Sequence, residues 1–275
     1  MYVLGIVGPS DAGKTRSVER LATRLAERGR VATVKHCTHA PDVDTAGTDT
    51  DRHRGAGAAT SYGLSDEGWF ATGDDRTLAE TLDELAPAYD YALLEGFHDA
   101  AVPQVVLGGH DHAGEALATG EDVDDVDGSA VIEALEATEP YVTLESLVRE
   151  AKDSPRADRA GAIATFTGRV RAKDSADDAP TEFLEFETYE GVAEQRFATI
   201  REELEAREGV YEVLMHHRTG VIESGADIVF VVVLAGHRGE AFRTVEDGID
   251  RLKDEVPIFK KEVTEDEQFW VHTRV

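Results

Sequence analysis

One short motif constrains the first half of the chain more than any other feature. Residues 8–15 read GPSDAGKT and match the pattern G-x-x-x-x-G-K-[ST] of a phosphate-binding loop, or P-loop. A strand-like run, YVLGIVG, precedes the motif, and an amphipathic, helix-like segment follows it. In that setting the backbone amides of the loop point at phosphate oxygens, and the helix N-terminus adds positive potential. The motif therefore predicts a nucleotide-binding site.

Individual residues have distinct predicted roles in this site. Lys14 is expected to reach the β- and γ-phosphates, and Thr15 to bind Mg²⁺. Glu95 ends a later apolar strand, YALLEGF, where P-loop proteins carry a carboxylate for the Mg²⁺ site. Asp44 is expected to add a ligand to this site, with Lys35 nearby. The predicted nucleotide-binding residues are Gly8, Pro9, Ser10, Asp11, Ala12, Gly13, Lys14, Thr15 and Glu95, and the predicted Mg²⁺ ligands are Thr15, Glu95 and Asp44.

The segment around Lys35 also permits a second interpretation. His36, Cys37 and His39 suggest a zinc site, but structural zinc sites use four ligands and no second ligand pair is evident in the sequence. His110 and His112 are expected to lie in a surface loop. The magnesium interpretation of this region is therefore favoured over zinc.

The order of strand-like and helix-like segments predicts two domains. In the first half, strands at VATVKH, YDYALLEG and PQVVLGG alternate with helices, which favours a parallel sheet. After Tyr141 the alternation is less regular, which favours a largely antiparallel sheet. We therefore predict an α/β P-loop NTPase-like domain with a parallel sheet over residues 1–139, followed by an α+β domain with a largely antiparallel sheet over residues 140–275.

Composition excludes several classes of function. The chain carries 56 acidic and 28 basic residues, a formal net charge of −28, which is typical of a halophilic protein. No basic stripe is available for nucleic acid or for an anionic membrane. The longest apolar run, IVFVVVLA, is too short to span a bilayer. The single cysteine, Cys37, rules out an internal disulfide, so we expect a cytoplasmic protein.

Lysine is scarce, and its distribution points to a second site. Three of the seven lysines of the chain fall within residues 251–262, RLKDEVPIFKKE. Further basic clusters, GRVR, HHR and GHR, follow or end predicted elements in the second half. If these ends converge, they form a pocket for anions. Two other interpretations remain: Lys253 can simply stabilise a helix C-terminus, and single arginines commonly pair with surface acids.

The first half resembles the molybdopterin-guanine dinucleotide biosynthesis adaptors of the MobB type. The P-loop, VKHCTHAPDVD, GTDT, GAGAAT and LLEGF carry this resemblance over nearly all of residues 1–139. It implies GTP and Mg²⁺ as ligands, weak GTPase activity, and assistance to the enzyme that attaches GMP to molybdopterin. The family shows a KHxHH-like run, which Cys37, Thr38 and Ala40 interrupt here.

The second half resembles the catalytic, large subunit of molybdopterin synthase, the MoaE type. The resemblance rests on AGAIATFTGRVR, LEFETYEGVAE, HRTGVIESGADIVFVVVLAGHRGEAF and LKDEVPIFKKE. It implies a homodimeric sulfurtransferase that converts cyclic pyranopterin monophosphate into molybdopterin, with sulfur supplied by the C-terminal Gly-Gly thiocarboxylate of a small ubiquitin-like partner. It also implies that Lys253 and Lys260 are catalytic, that Arg171, His237 and Arg238 bind substrate, and that Arg218 and Phe166 support the pocket.

Together these observations predict a fusion of two steps of molybdenum cofactor biosynthesis. A rival interpretation makes the first half a small-molecule kinase with Asp44 as the base, and the second half a non-catalytic platform for a ubiquitin-like protein. Nucleotide turnover that depends on a small acceptor would favour the kinase. Partner binding without product would favour the platform.

Overall fold

The chain divides into two compact units, Met1–Tyr141 and Val142–Val275. The computed structural model describes residues 1–39, 44–173, 180–188, 191–264 and 268–271. Each buried hydrophobic cluster lies within one unit, so each unit has its own core. Among the described residues, no helix is both long enough and apolar enough to cross a lipid bilayer.

The first unit consists of a central sheet, a two-stranded hairpin and flanking helices. Its elements, in chain order, are β1 (Tyr2–Val7), α1 (Lys14–Leu25), β2 (Val31–Lys35), α2 (Asp49–Gly55), β3 (Thr60–Leu64), β4 (Trp69–Gly73), α3 (Leu78–Leu85), β5 (Tyr91–Glu95), β6 (Gln104–Leu107), β7 (Ala116–Gly120) and α4 (Gly128–Glu136).

The central sheet of this unit has five parallel strands in the order β2-β5-β1-β6-β7. Every residue of β5 and β6 is buried, as expected for parallel strands covered on both faces. One face packs against α1 and α4 through residues such as Leu21 and Ile132, and the other packs against Leu82 of α3. The predicted α/β class with a parallel sheet is therefore confirmed.

The strand order determines what surrounds the P-loop. The central strand β1 lies between β5 and β6, so the loop that leaves its carboxyl end is flanked by the ends of both neighbours. Open α/β sheets bind ligands at such a point, where successive connections leave in opposite directions. The four strands predicted from apolar runs are all present, but β7 and the β3–β4 hairpin were not predicted because their sequences contain no continuous apolar run.

In its described residues, the second unit has two antiparallel sheets and three α-helices. Its elements, in chain order, are α5 (Leu144–Asp153), β8 (Ala162–Arg169), β9 (Thr181–Thr188), α6 (Val192–Glu205), β10 (Val210–His217), β11 (Gly220–Glu223), β12 (Asp227–Ala235), α7 (Arg238–Glu255), β13 (Ile258–Thr264) and β14 (Gln268–Val271).

Strand β12 is the centre of the second unit. It lies between β10 and β8 in a three-stranded antiparallel sheet, and its side chains alternate between two cores. Val229, Val231 and Val233 pack with residues of α6 and α7, whereas Phe230 and Val232 pack with α5. A strand covered on both faces is apolar throughout, which explains the run IVFVVVLA. The predicted α+β class with an antiparallel sheet is confirmed.

A second sheet has the order β11-β9-β13-β14, with all pairings antiparallel. Leu184, Phe186 and Ile222 of this sheet form a cluster with Val170, which follows β8, and Ile258 packs against it. The cluster therefore joins the second sheet to one end of the first.

The basic residues of the second unit divide between the two ends of the three-stranded sheet, called the Arg169 end and the Ala235 end. At the Arg169 end, Arg169 of β8 is paired with Asp227, and His217 of β10 with Val229. At the Ala235 end, Ala235 is paired with Ala162 and Val210. Strand β8 is eight residues long, so the two ends of the sheet are roughly 25 Å apart.

Helix α7 returns from the Ala235 end to the Arg169 end. It begins at Arg238, and Glu240 in its first turn lies beside Gly209 at the Ala235 end. Midway, Gly248 packs against Val231. Eighteen residues give the helix a length of about 27 Å, so its last turn reaches the Arg169 end.

Candidate functional site

The P-loop residues form the connection between β1 and α1. Gly13 immediately precedes the helix and has φ of 85°, in the left-handed region. A Cβ at Gly13 would lie 3.0 Å from Cγ1 of Val123, so both the backbone angle and the close approach require glycine. Pro9, Ser10 and Asp11 are exposed on the loop, while Ala12 is buried beneath it. The remaining predicted member, Gly8, starts the loop directly after Val7.

Lys14 folds back over the P-loop. Its Nζ donates hydrogen bonds to the carbonyl oxygens of Gly8, at 2.8 Å, and Pro9, at 2.6 Å. The ammonium group therefore stays at the mouth of the loop, where the motif predicts phosphate oxygens.

The side chains of Thr15 and Lys35 both contact the same carboxylate oxygen of Glu95. The Thr15 hydroxyl donates to Oε1 of Glu95 at 3.0 Å, and the Lys35 ammonium lies 2.8 Å from the same atom. Lys35 and Glu95 end adjacent parallel strands and are partners in register. The Glu95 side chain is only 11% exposed, whereas Lys35 is 58% exposed. The hydrogen bond with Glu95 raises the pKa of Lys35.

The Thr15 and Glu95 side chains fit a magnesium ion. A hydroxyl and a carboxylate are hard oxygen ligands, and Mg²⁺ usually takes only one or two protein ligands together with phosphate oxygens and water. Within the part of the chain that the structure describes, no group of three His, Cys, Asp or Glu side chains is arranged to hold a metal ion. A metal at this position would therefore take its remaining ligands from nucleotide oxygens or from water.

Asp44 has a different local environment from the other predicted Mg²⁺ ligands. Its Oδ1 accepts hydrogen bonds from the hydroxyls of Thr48, at 2.6 Å, and Thr50, at 2.8 Å. Thr48 is the N-cap of α2, so Asp44 supports the start of that helix. The structure brings Thr15 and Glu95 together but gives Asp44 partners in its own segment.

The histidines near the P-loop also have specific neighbours. The His36 ring lies 5.4 Å from that of Phe97, and Cys37 and His39 are exposed. His98 and His110 have ring centroids 5.8 Å apart. They follow β5 and β6, which flank β1, and sequence reasoning missed this pair. The order of the strands in the sheet was the missing information, because it brings those two loops together.

In the second unit, Arg171, Lys253 and Lys260 belong to the Arg169 end. Arg171 follows β8 by two residues, and the intervening Val170 exchanges backbone hydrogen bonds with Gly225 and Ala226, just before β12. Lys253 lies in the last turn of α7 and is exposed. The fold therefore collects groups that are up to 89 residues apart in sequence, counted from Arg171 to Lys260.

Lys260 lies on β13, opposite Phe186 of β9, with its side chain 34% exposed. Its Nζ is 3.4 Å from Glu262, and the neighbouring Lys261 pairs with Glu185 at 3.1 Å. Since side chains alternate along a strand, Lys260 and Lys261 point to opposite faces of the sheet. Lys260 shares the face of Phe186 and Ile258, which is the face that meets the Arg169 end.

His237 and Arg238 lie at the opposite end of the sheet. His237 is the N-cap residue of α7, directly after the Ala235 end, and both side chains are exposed. Because the strands and α7 span roughly 25 Å, one chain does not bring these two residues together with Arg171, Lys253 and Lys260.

Arg218 and Phe166 have structural contacts. Arg218 donates to the carbonyl oxygens of Val142, at 3.3 Å, and Asp227, at 3.4 Å, and its guanidinium lies 5.5 Å from the centre of the Phe230 ring. Phe166 packs against the core shared by β12, α6 and α7. Arg218 therefore supports the Arg169 end, whereas Phe166 lies opposite Val231, midway along the sheet.

Comparison with known proteins identifies both units. The family model described as "Molybdopterin guanine dinucleotide synthesis protein B" matches residues 3–127, and the MoaE protein family model matches residues 138–255. The probable molybdopterin synthase of Haloferax volcanii is 59% identical over 275 residues, which cover all of both chains.

Two solved structures are similar to the second unit. Molybdopterin synthase from Staphylococcus aureus has 35% sequence identity and a TM-score of 0.40, covering 42% of this chain and 83% of that one. A complex of subunits 1 and 2 of molybdopterin-converting factor from Helicobacter pylori has 22% identity and a TM-score of 0.41, covering 48% and 86%. On its full-length similarity to the Haloferax protein, this chain belongs to the molybdopterin synthase family, in a form that joins a MobB region to a MoaE region.

Proposed function

We propose that this chain carries out two steps of molybdenum cofactor biosynthesis. The second unit is the catalytic part of a molybdopterin synthase, which inserts sulfur into cyclic pyranopterin monophosphate. The first unit binds GTP with Mg²⁺, hydrolyses it weakly, and assists the enzyme that attaches GMP to molybdopterin. Membership of the molybdopterin synthase family supports this assignment.

One observation carries the synthase proposal: three different elements bring Arg171, Lys253 and Lys260 to the Arg169 end, in a chain of net charge −28. The substrate carries a phosphate, and the sulfur donor is a thiocarboxylate, so two anions must approach each other. Cationic side chains offset that repulsion, and they stabilise the oxyanion that forms at the acyl carbon as sulfur leaves. In this scheme Lys253 and Lys260 contact the reacting atoms, and Arg171 binds the phosphate.

The sulfur donor in this proposal is a small ubiquitin-like carrier ending in a Gly-Gly thiocarboxylate. The H. pylori relative named above was solved as a complex of two subunits. An extended Gly-Gly tail has no side chains, so its thiocarboxylate can approach closely spaced lysines without steric hindrance.

The reconstituted reaction tests the synthase proposal. The protein, the thiocarboxylated carrier and cyclic pyranopterin monophosphate are mixed in molar KCl, and molybdopterin is measured. We expect product with the wild type and at least about a hundredfold loss in Lys253→Ala, the usual cost of removing a group that acts on the reacting atoms. Lys152→Ala removes an exposed lysine from the last turn of another helix, α5, and is the matched control.

An unchanged rate in Lys253→Ala would refute the role of this lysine. A wild type that binds the loaded carrier but forms no product would refute the synthase proposal and favour the non-catalytic platform.

The positions of His237 and Arg238 add a requirement for a second copy. These side chains lie roughly 25 Å from the Arg169 end, so they contact the same substrate only if a neighbouring chain supplies them. We therefore include a homodimer with shared sites in the proposal, each site taking its lysines from one chain and His237 and Arg238 from the other.

Mixing two inactive variants tests the shared site. Lys253→Ala and Arg238→Ala are each expected to be inactive alone. When they are mixed and allowed to exchange subunits, mixed dimers contain one intact site, so about a quarter of the wild-type activity returns for random pairing. If both variants lose activity and none returns after verified exchange, the sites are not shared.

A further inference from the structure

The exposed Lys35 ammonium lies where the proposed Mg²⁺ ion would contact Glu95. Both Lys35 and Thr15 use the same carboxylate atom, Oε1, at 2.8 and 3.0 Å. A metal ion bound by Thr15 and Glu95 would need that oxygen as well. Two cations cannot both occupy the contact position on one oxygen without strong repulsion.

Glu95 needs a counter-charge whenever the metal is absent. Its side chain is only 11% exposed at the end of the buried strand β5. A buried carboxylate is costly unless it is paired and hydrogen-bonded. The register of β2 and β5 places Lys35 directly opposite Glu95, so the partner is supplied by the fold itself.

Lys35 is suited to leave this position. More than half of its side chain is exposed, and its four-carbon stem carries a compact charge that can move through several ångströms. Lys14 is held in a comparable way by the carbonyls of Gly8 and Pro9. Both lysines of the first unit are therefore bound to acceptors of the nucleotide site itself, in a chain with only seven lysines.

From these contacts we propose that Lys35 is an exchangeable counter-ion of the metal position. It holds the Glu95 carboxylate in place in the empty site and is displaced by the metal ion of an incoming nucleotide–metal complex. The released ammonium then contacts the terminal phosphate of a nucleoside triphosphate. The inference rests on the proposed nucleotide site, and it makes Lys35 a positioning residue in the empty state and a phosphate ligand in the loaded state.

Metal binding without nucleotide tests the exchange directly. Mn²⁺ serves as the probe, and its affinity is measured by electron paramagnetic resonance for the full-length wild type, Lys35→Met and Lys35→Arg. We expect Lys35→Met to bind Mn²⁺ about fivefold more tightly than the wild type, the upper range for an exposed ion pair. Lys35→Arg keeps the competing positive charge, so its Mn²⁺ binding should stay as weak as that of the wild type. Equal or weaker Mn²⁺ binding by a folded Lys35→Met protein overturns the proposal.

A spectroscopic measurement separates displacement from simple proximity. Reductive ¹³C-methylation labels the seven lysines, and the Lys35 signal is assigned by its absence in Lys35→Arg. Mg²⁺ with GTP should shift the Lys35 signal and leave that of Lys152 unchanged. A Lys35 signal that stays fixed while the nucleotide binds overturns the proposal.

Nucleotide affinity provides the last comparison. Lys35→Met should lower the ratio of GTP affinity to GDP affinity by about fivefold, because both nucleotide–metal complexes gain equally from the missing competitor and only GTP carries the terminal phosphate. An unchanged ratio refutes the contact with that phosphate. If the wild type binds no nucleotide, the nucleotide proposal fails, while the Mn²⁺ comparison still decides the role of Lys35.

Discussion

His216 and His217 precede Arg218 at the end of β10, and the letters HHR look like a basic cluster. Burial lowers the pKa of each histidine to about 4. The His217 ring lies 4.9 Å from that of Phe186, and His216 stacks on Phe230 at 6.4 Å. Both imidazoles are therefore neutral at pH 7, and Arg218 alone contributes positive charge to this cluster.

These two histidines make the second unit sensitive to acid. Since the folded pKa is about 4 and the ordinary value is 6.5, the unfolded chain binds more protons between these values. The free energy of unfolding therefore has its full value above pH 6.5. It falls as the pH drops towards 4, by at most about 3 kcal/mol for each histidine.

Substituting one histidine measures this contribution. His217→Gln keeps a side-chain donor for the Arg218 carbonyl, which His217 Nδ1 contacts at 2.7 Å, but does not titrate. We expect its thermal unfolding midpoint to fall less than that of the wild type between pH 6.5 and 4, in molar KCl. The imidazole titration itself can be followed by NMR. A His217 that titrates near 6.5 contradicts the expected burial effect.

Helix α7 depends on a close approach to the sheet. A Cβ at Gly248 would lie 3.2 Å from Cγ1 of Val231 and 3.5 Å from Cδ1 of Leu204. Glycine costs about 1 kcal/mol in a helix interior, so this position sacrifices helix propensity for tight packing. The close approach sets the path of α7, and with it the position of Lys253 at the Arg169 end.

Filling this contact should destabilise the second unit. Gly248→Val adds methyl groups against Val231 and Leu204, and overpacking of this kind typically costs about 1–3 kcal/mol. Gly239→Val is the matched control in the same helix, because its Cβ would meet only the flexible end of Arg243. The stabilities of the two variants are compared by urea unfolding, with amide hydrogen exchange of β12 as the probe. If both variants lose the same free energy of unfolding, helix propensity rather than packing accounts for the effect.

Across the whole molecule, the cores are separate. The clusters of the first unit use residues up to Tyr141, and those of the second use residues from Val142 onward. Among the residues that the structure describes, no hydrophobic cluster is shared, so each unit holds the buried apolar surface needed to fold alone.

Separating the units tests this independence. We expect residues 1–141 to bind GTP and residues 142–275 to form molybdopterin with the carrier, each within about twofold of the full-length protein. Nucleotide titration and the reconstituted assay give the two measurements, and the mixture of both pieces is the control. A fragment that is unfolded alone but recovers on mixing would contradict independent cores.

Local patterns in the sequence were sufficient for much of this protein. The P-loop, the apolar strands and the two fold classes could be predicted because strand–loop–helix order and hydrophobic runs depend on neighbouring residues. The lysines of RLKDEVPIFKKE stood out because lysine is scarce in an acidic chain.

Other features depend on which elements are neighbours in space. Lys35 meets Glu95 because β2 is adjacent to β5 rather than to β1. Arg171 and His237 are separated because β8 and β12 are antiparallel, so the residues that follow each strand leave from opposite ends. Strand pairing joins residues far apart in sequence, and no local pattern encodes it. For that reason the chemistry of each residue could be predicted from sequence, but its partners could not.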